Sequence, residues 1–376
     1  MDSLVKVSLI GFCLFVVSCA SKKELLSKKC IQRPKNVILL ISDGAGLSQI
    51  SSSFFFKDDV PNYSRFNNIG LIKTSSLVQD VTDSAAGATA FSCGEKTYNG
   101  AIGVANDSTN LETIVEIVQN KGVKTGLIAT SSLTHATPAS FFAHAVSRNM
   151  EEEIALDLTK SKVDFFAGGG VKYFNKRKDG VNLLDSNGLS DCHINTNQLE
   201  DFENIKRYSR VGYLLASNEM PKVSEGRGNF LQNATDLAIK FLSKDNHPFF
   251  IMSEGSQIDW GGHQNDGDYL VSELIDFDNT IGKALDYAEK DGNTLVVVTS
   301  DHETGGFTLS GKIKKGADGS KYGDYSEVGM SFSNGGHSAT LIPVFAYGPG
   351  AEIFNGIYEN TEVFHKIMQV TGWKKK

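Results

Sequence analysis

Ser84 stands in the stretch Val81-Thr82-Asp83-Ser84-Ala85-Ala86-Gly87, a serine among small residues directly after an acidic one. Such a serine either opens a helix as a cap or presents its hydroxyl to a cleft as a nucleophile. Elsewhere Asp43, Thr137, Glu254 with Asp259, and Asp301 with His302 each follow an apolar run, and His337 precedes another. Taken singly, each is an ordinary cap or turn residue. Taken together with His263, they are four carboxylates and three imidazoles that strand ends would bring to one crevice. Carboxylates so gathered repel one another unless cations separate them. Oxygen and imidazole donors together suit zinc, and a carboxylate-rich corner suits magnesium. Asp259 and His263 are four apart, so one helical turn presents both to a single ion.

The elements that must position these groups follow from periodicity. Asn36–Ser42 is a continuous apolar run, predicted to be a fully buried parallel strand, and Asp43-Gly44-Ala45-Gly46 turns the chain at its end. Further strands are predicted at 71–78, 123–129, 163–167, 248–252, Thr294–Thr299 and Ile342–Tyr347. Helices are predicted at 85–93 with Gly94 as C-cap, over Leu111, Ile114, Val115 and Val118 up to Gly122, and from Pro138 to about Arg148. Others are predicted at 230–242, along Leu270, Leu274, Phe277, Ile281, Leu285 and Ala288, and at 361–370. Residues 171–225 look like surface elaboration with a strand or two, and 307–336 like an inserted loop or small subdomain. Strands alternating with helices predict one α/β domain around a central, mostly parallel sheet flanked by helices.

The chain has 376 residues and a formal net charge of -7, with no basic run, which argues against a nucleic-acid-binding surface. It carries 37 glycines and only 7 prolines, so its loops are weakly braced. At the N-terminus, Lys6 precedes an apolar run from Val7 to Val17, too short to span a bilayer. Val16-Val17-Ser18-Cys19 resembles a bacterial lipoprotein box, with Cys19 as the lipid anchor; the alternative is an ordinary signal peptide cut near Ala20. The expected organisation is a signal peptide over 1–19, a lysine-rich tether over 20–35 and a catalytic domain over 36–376, exported to the periplasm or membrane-anchored facing it. Cys30, Cys93 and Cys192 allow at most one internal disulfide, so this is not a disulfide scaffold.

Asp43-Gly44, Thr82 to Ala86, Ala136-Thr137-Pro138, Ser147-Arg148, Glu254-Gly255 with Asp259 and His263, Thr299 to His302, and Gly336-His337 resemble, in order, the motifs of the alkaline phosphatases. The resemblance spans about residues 36 to 350. It implies a homodimeric phosphomonoesterase with two zinc ions, one magnesium ion, a phosphoserine intermediate at Ser84, an alkaline optimum and a broad substrate range. It implies that Asp259, His263 and His337 hold one zinc, and that Asp43, Asp301 and His302 hold the other beside Ser84. Asp43, Thr137 and Glu254 would hold magnesium, and Arg148 would grip phosphate as a planar fork. Three such ions bring about +6 against about -4 from the carboxylates, and Arg148 leaves the cleft near +3, a match for a phosphate dianion.

His135 and Trp260 depart from the Asp and Lys of much-studied bacterial relatives. Trp260 offers phosphate no cation, which predicts weaker phosphate binding and faster product release. His135 beside the third site leaves open whether magnesium or zinc sits there. A sulfatase would need a Cys-x-Pro-x-Arg segment, which Ser84-Ala85-Ala86 is not. A phosphodiesterase and a non-catalytic phosphate-binding lipoprotein remain as competing expectations, separable by monoester and diester turnover.

Overall fold

The computed structural model describes residues 32–185 and 187–374. The expected signal peptide, Cys19 and most of the tether lie outside the described residues. Fourteen strands follow in chain order: β1 Asn36–Ser42, β2 Asn68–Lys73, β3 Lys124–Ser132, β4 Phe165–Gly169, β5 Cys192–Asn195, β6 Arg210–Leu214, β7 Phe249–Gly255, β8 Thr294–Thr299, β9 Glu303–Thr304, β10 Thr308–Lys315, β11 Lys321–Ser331, β12 His337–Ser338, β13 Ile342–Tyr347 and β14 Gly356–Glu359. Ten form one sheet in the order β14-β2-β13-β8-β1-β7-β3-β4-β6-β5. Only β13 runs antiparallel to its neighbours β2 and β8; the other pairings are parallel.

β1 is buried along its whole length between β7 and β8. Successive side chains point to opposite faces. Val37, Leu39 and Ile41 therefore enter one core layer, and Ile38 and Leu40 the other. Each such aliphatic side chain contributes about 1.5–3 kcal/mol by leaving water. The first layer is closed by helices Ser84–Cys93, Ile114–Gln119, Glu151–Lys160 and Glu362–Thr371. The second is closed by helices Phe230–Ser243 and Gly267–Asp291. The expected α/β architecture is what forms.

Local expectations fail where tertiary contacts outweigh propensity. The strand expected over 71–78 ends at Lys73, where the Lys73 carbonyl accepts from Asn360, and Leu77 and Val78 are exposed. The helix expected from Pro138 to about Arg148 is one turn, Ala136–Ala139. Downstream, Ala145 leaves to pair with Ile102 through two 2.9 Å backbone hydrogen bonds. Arg148 thus arrives from a loop, its N–H donating to the Gly100 carbonyl at 2.7 Å. Leu111 precedes its helix, which Thr113 starts as the N-cap of a capping box with Glu116. Within 171–225, β5 and β6 extend the main sheet, and within 307–336, β10 and β11 form an antiparallel hairpin.

Candidate active site

Four neighbouring parallel strands, β8, β1, β7 and β3, end on one side of the sheet. Asp301 and His302 follow β8, Asp43 follows β1, Glu254 is the second-last residue of β7, and Thr137 follows β3. All five are fully buried. Crowding here needs residues without side chains. Gly44 has φ +75°, and a Cβ on it would stand 2.6 Å from the Asp259 Cα. A Cβ on Gly87 would stand 2.9 Å from the Asp301 Cβ, so this glycine lets the serine-bearing helix approach β8.

Ser84 is the first residue of helix Ser84–Cys93, and the cap is Asp83, whose Oδ1 accepts from the Ala86 N–H at 3.0 Å. Such a cap stabilises a helix by about 1 kcal/mol and leaves the Ser84 hydroxyl unspent on capping. Ser84 Oγ lies 3.3 Å from His302 Nε2. The same Nε2 is 3.3 Å from Asp301 Oδ2 and 3.6 Å from Asp43 Oδ1. Asp83 also accepts, through Oδ2, from Arg148 Nη1 at 3.0 Å. Arg148 Nη2 donates to His135 Nε2 at 3.2 Å, and the His135 ring stands edge-on to Trp260 at 5.9 Å.

Helix Gln257–His263 presents Asp259 and His263 from one turn, with Asp259 Oδ2 3.3 Å from His263 Nε2. His337, held on β12 opposite β9, brings its Nε2 to 3.7 Å from Asp259 Oδ1 and 3.2 Å from His263 Nε2. The other nitrogen of each ring faces a carbonyl: His263 Nδ1 to Gly335 at 2.8 Å and His337 Nδ1 to Thr82 at 2.9 Å. A carbonyl only accepts, so Nδ1 carries a proton in each ring and Nε2 is the atom left to bind a cation. Ring N–H groups held by carbonyls are how ligating histidines are oriented.

Three groups of donors converge within 4.8 Å: Asp259 with His263 and His337, Asp43 with Asp301 and His302, and Asp43 with His135 and Glu254. Both Asp43 carboxylate oxygens, Asp301 Oδ2, Glu254 Oε1, Thr137 Oγ1 and His135 Nδ1 are buried without a hydrogen-bond partner. So many orphaned donors and acceptors in one place are costly unless a ligand satisfies them. The donor set therefore fits divalent cations.

Titration tells the same story for the metal-free chain. Burial, with Asp301, Asp259 and Glu254 nearby, raises Asp43 well above the usual carboxylate range. Burial also pushes Glu254 up to about 8, against the pull of the Ser256 hydroxyl. Asp259 is buried too, but its hydrogen bond to His263 and the charge of nearby imidazoles hold it below that range. His263 rises to about 9, chiefly through Asp259. Burial and the Arg148 charge push His135 down to about 3, so that ring is neutral. Burial and His302 lower His337.

Every residue singled out from the sequence is thus in or at the rim of one cleft. Sequence reasoning missed Thr304, whose hydroxyl contacts both Asp259 and His302, and the second use of Asp83, which holds Arg148 from 65 residues away. The only local signal for Thr304 was its place two residues after His302.

A mostly parallel sheet whose strand ends gather carboxylates and imidazoles around a buried helix-start serine defines a metal-dependent hydrolase built on an α/β sheet. The chain belongs to the alkaline phosphatase family: the family model "Alkaline phosphatase" matches residues 34–321 and 312–372. It is 34% identical to alkaline phosphatase 3 of Bacillus subtilis over 91% of this chain and 90% of that protein. In structure it is similar to the alkaline phosphatase of the Antarctic bacterium TAB5, at 64% identity over 92% of this chain and 100% of that chain, with TM-score 0.90. A variant of the TAB5 enzyme with magnesium bound matches at 66% identity over the same shares, with TM-score 0.91.

Proposed function

We propose that the chain hydrolyses phosphate monoesters through a phosphoserine at Ser84, with two zinc ions and one magnesium ion resident in the cleft. The observation that carries this is Ser84 Oγ at 3.3 Å from His302 Nε2, beside Asp43 and Asp301. Asp259, His263 and His337 would hold one zinc, and Asp43, Asp301 and His302 the other. Asp43, Thr137 and Glu254 would hold magnesium. Bound there, such ions supply Lewis acidity, lowering the pKa of hydroxyl groups and stabilising charge on phosphoryl and leaving oxygens.

The chain's own residues do the rest. Asp83 Oδ2 holds the Arg148 guanidinium at the mouth, where its remaining N–H groups meet phosphoryl oxygens. Ser84 Oγ gives its proton to solvent and attacks phosphorus in line, the P–O bond to the alcohol breaks, and the departing alkoxide takes a proton from water. Water then attacks the phosphoserine, releasing inorganic phosphate and restoring the serine. His135 and Trp260 tune phosphate binding at the rim. Because these contacts reach only the phosphoryl group, a broad range of monoesters is accepted.

The lipoprotein box at Cys19 supports export, with the enzyme periplasmic or anchored facing the periplasm. Among the described residues no helix is long and apolar enough to cross a membrane. The exposed Leu47, Phe54 and Phe55 of helix Leu47–Phe56 support a homodimer. Ser84→Ala tests the central assignment. Rapid acid quench should yield no phosphoenzyme, with kcat reduced by about three orders of magnitude or more. A phosphoenzyme formed at wild-type level would refute the role of Ser84.

A further inference from the structure

Thr304 is fully buried where the ligand-bearing segments meet. Its backbone N–H donates to the Gly44 carbonyl at 3.0 Å, next to Asp43. Across the β9–β12 pair it stands opposite His337. Its side-chain Oγ1 lies 2.5 Å from Asp259 Oδ1 and 3.2 Å from His302 Nδ1.

A threonine hydroxyl has one proton to give and two lone pairs to receive. A carboxylate only accepts, so the proton goes to Asp259. The contact with His302 is then a hydrogen bond only if His302 Nδ1 carries hydrogen. In that tautomer the Nε2 lone pair points among Ser84 Oγ, Asp301 and Asp43. At the other end, Asp259 Oδ1 is engaged while Oδ2 faces His263 at 3.3 Å.

We propose that Thr304 is a positioning residue whose single hydroxyl fixes the tautomer of His302 in one metal subsite and the carboxylate orientation of Asp259 in the other, coupling cation binding at the two. The inference rests on the ligand assignment proposed above. A valine at this position would keep the branched shape and leave Asp259 Oδ1 and His302 Nδ1 buried without this partner. A serine would keep the hydroxyl.

The test is zinc titration of metal-depleted protein against a chromophoric chelator, for wild type, Thr304→Val, Thr304→Ser and Asp259→Asn. Thr304→Val should weaken zinc at both subsites by about 10- to 100-fold, the usual effect of losing a partner behind a ligand. Thr304→Ser should restore the affinity. If Thr304→Val binds zinc like wild type while Asp259→Asn does not, the role of Thr304 is refuted and the ligand assignment stands. If Asp259→Asn also binds like wild type, the ligand assignment itself falls. Should Thr304→Val fail to fold, nitrogen NMR of metal-depleted wild type decides: a proton on His302 Nδ1 is expected with neutral imidazole, and a neutral ring protonated on Nε2 overturns the proposal.

Discussion

Two buried charge clusters in this molecule are handled in opposite ways. Arg227 joins the loop near residue 225 to helix Gly267–Asp291, where its Nη2 pairs with Glu273 and, at 2.9 Å, with Asp276. Those carboxylates also accept from the Val223 N–H at 2.9 Å and from Gln232 Nε2 at 3.1 Å. This cluster carries its own cation, with one guanidinium set between two carboxylates. In the cleft, Asp43, Glu254, Asp259 and Asp301 are buried together, yet the guanidinium at hand, Arg148, is held by Asp83 instead. A buried carboxylate without a cation is costly, and the chain retains several at the strand ends. The difference separates structure from function: one cluster locks a loop, and the other is complete only with cations that the chain does not encode.

Removing one charge from each cluster should have opposite effects. Arg227→Met leaves Glu273 and Asp276 buried and unpaired, so it should destabilise the protein by about 3–5 kcal/mol in urea titration. Turnover per folded molecule should not change. Glu254→Gln should act with the opposite sign in chelated protein. In metal-free protein the Glu254 pKa is about 8, above its ordinary value. Its favourable contribution is therefore present below about pH 4.5 and lost as pH rises through about 8. Glu254→Gln removes that loss and should stabilise chelated protein at pH 9 by on the order of 5 kcal/mol. Below pH 5 it should change little, and metal-loaded activity should fall. A destabilised chelated variant at pH 9 would show that the cleft is balanced without cations. The smallest effect belongs to the rim. Trp260→Lys places a cation near bound phosphate, and product inhibition should tighten by about five- to tenfold.

The two clusters were not equally legible in the sequence. The cleft was visible because its residues end unmistakable buried strands: Asn36–Ser42 and Thr294–Thr299 coincide with predicted runs, and Asp43 and Asp301 follow them within two residues. The Arg227 cluster was invisible, because nothing local pairs Arg227 with residues 46 and 49 positions later. The same limit hid the Asp83–Arg148 and Thr304 contacts. It also explains the helix expected to reach Arg148. Pro138 and its neighbours favour a helical start, but pairing of Ala145 with Ile102 outweighs propensity and turns the chain. The strand or two expected within 171–225 are β5 and β6, but their place in the main sheet was not legible, because they are only 4 and 5 residues long and pair with residues distant in sequence.

Elemental analysis of the purified chain, followed by melting with and without chelator, tests most directly whether the cleft is built for cations. About three divalent ions per chain are expected, with zinc in excess of magnesium, and a large fall in both melting temperature and monoester hydrolysis on chelation. A chain that purifies without bound metal, melts at the same temperature in chelator and still turns over a monoester would contradict that expectation.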